Sequence, residues 1–135
     1  MNTNKPTRII YWVATTLIFL FEGVLPALTS RTQLAIEGIR HLGYSDSFGI
    51  MLTIFKVSGA IVLIVPAFKG KIKEWAYAGF SFVFISAAIS HWAVDGFTGQ
   101  TIFPLVVMLI LLVSYYTYYK LQGTRYQNSI AHIKI

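Results

Sequence analysis

The stretch Lys69–Asp95, KGKIKEWAYAGFSFVFISAAISHWAVD, decides how the chain folds. It opens with Lys69, Lys71 and Lys73, followed by Glu74 and Trp75. From Ala76 to Val94 it is apolar or small, and no charged side chain falls between Glu74 and His91. A helix in water would carry charge along one face of such a run. A run this long and uniform fits a helix that crosses a bilayer, entered from the lysine side.

The whole composition agrees. Of 135 residues, 12% are charged and 56% hydrophobic, against about 25% charged in soluble domains. The mean hydropathy is +0.64. These values place the chain in the membrane class and its length suits one compact unit. The net charge of +6 does not point to nucleic acid, because the basic residues flank apolar runs and form no stripe on a soluble domain. The chain has no cysteine, which excludes disulfides, thiolate metal sites and thiol redox chemistry of its own. The first apolar run is too long for the core of a cleaved signal and contains Glu22, so it reads as a retained helix.

Four spans are expected, at about residues 8–28, 47–65, 75–94 and 103–120, in one membrane domain covering residues 8–121. Residues 1–7 and 122–135 read as polar tails on either side of it. Tyr11 and Trp12, and the run Tyr115, Tyr116, Tyr118 and Tyr119, have the position of interfacial aromatic belts. Between the first two spans the chain is too polar to cross. Ser30 and Gln33 have capping-box spacing, Gly43 is a helix stop, and Ala35, Ile39 and Leu42 share a face. A short amphipathic helix at the membrane surface is the expected result, with an ordered loop as the alternative. In the third span Ala76, Gly79, Val83, Ser86 and Ser90 recur every three to four residues, a face that permits close helix packing in lipid. Pro66 ends the second span, and Gly-containing residues 95–100 turn the chain into the fourth. The fold class expected is therefore all-α, a four-helix transmembrane bundle with one surface helix.

Lysine and arginine set the orientation. Lys5, Arg8, Lys69, Lys71, Lys73, Lys120, Arg125 and Lys134 fall on the side of the termini; Arg31 and Arg40 fall on the other. The positive-inside rule places both termini in the cytoplasm of a multi-pass protein of the cell membrane.

An ionisable group inside a span costs roughly 2.5–3.5 kcal/mol, so each needs a partner or a task. The first three spans each carry one: Glu22, Lys56 and His91. At 1.5 Å per residue Glu22 lies about 9 Å from the outer end of its helix, Lys56 about 12 Å below the start of its own, and His91 within about one turn of the exit. All three fall in the outer half, and no comparable group is expected in the inner half. Glu22, Lys56, Ser90 and His91 are accordingly the candidate ligand-binding residues, with Arg40, His41, Asp95 and Gln100 as a lid or rim. The bland alternative is a Glu22–Lys56 ion pair that fixes how two helices meet, and a histidine hydrogen-bonded to Asp95. The set does not make a zinc, di-iron or haem constellation, so no metal is expected. No phosphate loop, dinucleotide turn or nucleophile elbow occurs.

The pattern His41-Leu42-Gly43-Tyr44, Lys56 with Gly59-Ala60, Pro66, Lys73-Glu74-Trp75-Ala76-Tyr77-Ala78-Gly79-Phe80, Ala88 and Ser90-His91 resembles the DoxX-like family. The resemblance covers roughly Leu17 to Tyr119. Ser45 stands where relatives commonly have proline. The resemblance implies a small four-helix membrane bundle linked to membrane redox complexes, the family being named for a subunit of a thiosulfate:quinone oxidoreductase; distant relatives are assembly chaperones for receptors. It carries over no catalytic residue. The functional expectation is a site for a small lipid-soluble molecule, a quinone being the candidate cofactor, in a polar pocket of the outer leaflet within a membrane redox system. Lys56 and His91 would hold or protonate a carbonyl oxygen. The alternative is an assembly partner of another membrane protein, or a homo-oligomer; a proton-coupled carrier is a third reading. Whether the chain is an enzyme is left open by its residues.

Overall fold

The computed structural model describes residues 5–133. Residues 1–4 and 134–135, counted above in the two tails, lie outside the described residues. Among the described residues five helices follow one another: α1 (Lys5–Thr29), α2 (Gln33–His41), α3 (Asp46–Ile64), α4 (Lys71–Asp95) and α5 (Gly99–Ile133). All but α2 are long and apolar enough to cross a membrane. α5 packs along α1 and α4, and α3 closes the square by touching α4 and α1. The fold is the expected four-helix transmembrane bundle, and outward Phe55, Phe82 and Leu109 are 62%, 70% and 63% exposed. Water would not tolerate that much apolar surface, whereas lipid covers it at no cost.

The surface helix is set by its two ends. Thr32 Oγ1 accepts the Ala35 N–H at 3.3 Å. The cap is therefore Thr32 and not Ser30, which still belongs to the end of α1, its N–H bonded to the Pro26 carbonyl. At the other end Gly43 has φ +89°. The N–H groups of Gly43 and Tyr44 return to the carbonyls of Arg40 and Ile39, the paired bonds of a Schellman stop. Ser45 then caps α3, its Oγ accepting the Phe48 N–H at 3.1 Å. Val65 is extended before Pro66, as the proline ring requires.

Three expectations need correction. The small face of α4 packs only in part: Ala76 and Val83 lie against the core and Ser90 meets Tyr44. Tyr77, Phe80, Phe84 and Ala88 are buried, while Gly79 and Ser86 point outward. The bulky side wins because three neighbouring spans leave a wide gap that rings fill, and burying rings gains more contact than burying glycine. The tyrosine belts are only partly belts. Tyr11 and Tyr118 are 5% and 8% exposed. At 100° per residue a run of tyrosines must send one ring inward. Finally, the helix of the fourth span does not end near residue 120 but continues to Ile133. At 1.5 Å per residue 35 residues reach about 52 Å, well past a hydrocarbon core of about 30 Å.

Candidate functional site

The site is made by a defect in α1. Pro26 has no N–H to give to the Glu22 carbonyl, and its ring crowds that oxygen. The turn before it widens: over Leu20–Val24 the helix is π-helical, and the Leu25 N–H bonds to the Leu20 carbonyl five residues back. Such a bulge rotates the side chains that follow it and is frequent at functional positions. Here it turns Glu22 inward, to 6% exposure. Next to it, a Cβ on Gly23 would stand 2.8 Å from the Ala60 Cβ. α1 and α3 thus touch almost backbone to backbone, and Lys56, one turn before Ala60, is brought to Glu22. Gly59 serves the other neighbour, because a Cβ there would meet the Phe80 ring of α4 at 2.9 Å. The Gly59-Ala60 pair lets α3 sit close to both α1 and α4.

Lys56 Nζ lies 2.6 Å from Glu22 Oε2, with the side chains 21% and 8% exposed. The distance is that of a charge-assisted ammonium–carboxylate contact. Both charges face a cavity of about 490 Å³ between α1, α2 and α3, closed on one side by Phe103 of α5. The apolar face of α2, with Ala35, Ile36 and Ile39, forms its roof. Arg31 and Asp46 lie at the roofed end.

The other expected residues are elsewhere. His91 and Ser90 do not line this cavity. Ser90 Oγ is 2.7 Å from the Tyr44 hydroxyl. His91 Nδ1 is 3.4 Å from Asp95 Oδ2, and the other Asp95 oxygen meets His41 Nε2 at 2.5 Å. That carboxylate thus ties α2 to α4. Arg40 makes a two-pronged pair with Asp46, at 2.8 and 2.6 Å, which ties α2 to α3. Of the expected rim, Arg40, His41 and Asp95 hold the roof, while Gln100 is exposed at the start of α5. Depth alone suggested that three side chains converge; helix rotation brings together two.

The half of the bundle that carries the termini, where no comparable group was expected, does hold one. Lys73 is 2% exposed, its Nζ 5.0 Å from the Tyr118 ring centre and 5.6 Å from that of Tyr11. The ring faces offer it negative charge in place of a carboxylate. One turn further in, Ser114 Oγ is 2.7 Å from both Thr15 Oγ1 and the Tyr77 hydroxyl. The signal was present in the sequence: Tyr11/Thr15, Lys73/Tyr77 and Ser114/Tyr118 are each polar pairs four apart, which stacks them on one helix face. Above this layer Ile18, Leu63 and Leu111 are fully buried and separate it from the Glu22–Lys56 cavity.

Neither curated proteins nor solved structures provide a match. A family model, that of the DoxX-like family, matches residues 10–114, a segment containing α2, α3, α4, the π-helical turn and both residues of the buried ion pair. The chain is a multi-pass membrane protein that belongs to the DoxX-like family.

Proposed function

We propose that the cavity between α1, α2 and α3 receives a small lipid-soluble molecule with an oxygen-bearing head, of which quinones are one class, and that the protein serves a membrane redox system in this way. The observation that carries the reading is the pairing of an ammonium and a carboxylate on the wall of an otherwise largely apolar cavity of about 490 Å³. Ligand sites combine apolar walls with a few convergent polar groups, and their volumes run from about 300 to 1,000 Å³. Lys56 Nζ can donate to a carbonyl oxygen while it stays within 2.6 Å of Glu22. His91, Ser90, His41 and Asp95 then act on the roof rather than on the ligand. With both termini in a cell's cytoplasm, as the lysine-rich inner loop favours, the cavity faces the outer leaflet.

Titration of the purified protein with a short-chain quinone, read by quenching of its tryptophans, tests this. Binding should saturate in the wild type and be lost in Thr53→Phe, which fills the cavity one turn from Lys56 without touching either charge. Quenching that never saturates, or is equal in the variant, defeats the reading.

A second reading, an assembly partner of a larger membrane protein, is favoured by the outward small face of α4. A Cβ on Gly79 would meet nothing within 4 Å, so a partner helix can approach there closely. Pull-down from native membranes in mild detergent decides it, and a chain that emerges alone counts against it.

A further inference from the structure

We infer that the head group taken between Glu22 and Lys56 is one that both donates and accepts a hydrogen bond, a phenol or alcohol hydroxyl, in preference to one that only accepts. The inference deepens the cavity reading above and rests on it.

The polar inventory of the cavity carries the argument. Two threonines line it, Thr29 and Thr53. Each has already given its proton to its own helix: Thr29 Oγ1 donates to the Leu25 carbonyl at 2.7 Å, and Thr53 Oγ1 to the Gly49 carbonyl at 2.9 Å. Asp46 is occupied by Arg40. Ser30 and Arg31 lie on the wall as well, Ser30 half-buried and Arg31 exposed; the most deeply buried polar side chain of the wall is that of Glu22, with Lys56 beside it. Glu22 Oε2 has Lys56 Nζ 2.6 Å away, and the side chain is only 8% exposed. A carboxylate offers about four lone-pair sites and an ammonium three N–H bonds, so one contact between them leaves both with capacity for a further partner. Buried capacity that stays unused is costly, more so when charged. A hydroxyl placed beside the pair satisfies both groups at once: its O–H donates to Glu22 Oε2 and its oxygen accepts from Lys56 Nζ. A carbonyl or ether oxygen serves only Lys56 and leaves the carboxylate oxygen as it was. Sites built to bond a hydroxyl reject the analogue that lacks it far more strongly than apolar pockets discriminate by shape.

The experiment compares 4-octylphenol with its methyl ether, 4-octylanisole, by calorimetric titration of the full chain in detergent micelles. The two probes share tail and ring and differ in one donor. The phenol should bind at least tenfold tighter. The double variant Glu22→Leu/Lys56→Met keeps the fold, since an apolar pair of similar volume can replace a buried ion pair, and in it the two probes should bind within twofold of each other. Equal binding to the wild type, tighter binding of the ether, or a phenol preference that survives in the double variant overturns the inference while leaving the cavity reading in place. Failure of both probes to bind wild type and double variant alike removes the cavity reading together with the inference.

Discussion

At the end of the bundle that carries the termini, polar side chains are locked to one another; at the end that carries α2, two charges are left facing a cavity. Thr15, Ser114 and Tyr77 form a closed hydrogen-bonded set from three spans, and Lys73 lies between two tyrosine rings. The space beside Tyr77 in that half is smaller, about 220 Å³ between α4 and α5. In the other half, α1 and α3 meet at Gly23 and Ala60 and then part, leaving space beside Glu22 and Lys56. Polar groups that hold a membrane bundle together satisfy each other completely. Those that await something else keep capacity to spare beside free space, as the Glu22–Lys56 pair does.

The sharpest way to break this contrast is to remove one charge at a time. Lys56→Ala leaves Glu22 buried and unpaired and should cost about 3–5 kcal/mol, whereas the apolar double variant should be near neutral. Thermal unfolding in detergent measures both. Equal losses for the two would mean that the pair is a structural clamp, like the opposite half.

Next come the two close approaches. Gly23→Ala drives a methyl group against Ala60, and Gly59→Ala drives one into the packed Phe80 ring, with expected costs of about 1–3 kcal/mol. Gly79→Ala, with open space around it, should be neutral or stabilising by up to about 1 kcal/mol. A loss at Gly79 in native membranes but not in detergent would point to a partner on that face.

The polar layer near the termini should respond less than the ion pair. Tyr77→Phe or Ser114→Ala should each cost about 0.5–1.5 kcal/mol, with little change in ligand binding. A larger effect on binding than on unfolding would show that the two halves are coupled.

The smallest effect is expected at the roof. Arg40→Ala removes an exposed pair with Asp46, and unfolding should not move measurably. Labelling of a cysteine placed at Thr53 should nevertheless speed up, because α2 loses one of its two ties. The chain has no native cysteine to interfere. Unchanged labelling would mean that α2 does not govern access.

The spans, the surface helix and the family were legible in the chain because each rests on a local property: run length, a glycine stop at Gly43 (though the N-cap is Thr32, not Ser30), and ordered motifs such as Lys73–Gly79 with Ser90-His91. The Glu22–Lys56 contact was half legible. Depth follows from counting residues at a fixed rise, and it placed the two charges at one level. It also placed His91 there, and that side chain went to Asp95 instead. Level says nothing about rotation, and rotation here depends on a π-helical turn set off by Pro26. Lys73 was misjudged for the opposite reason. Its neighbours in sequence are lysines that face water, and its burial comes from tyrosines 62 residues earlier and 45 later in the chain, the differences 73 − 11 and 118 − 73.

What the sequence determined by itself is that this chain lives in a bilayer, crosses it four times and carries charge where lipid forbids it without compensation. The tertiary structure alone decided which charges meet, which face of α4 is inside, and where space remains. The reason is that lipid sorts residues by hydrophobicity, a property each residue carries alone, while packing sorts them by shape, which belongs to two helices at once.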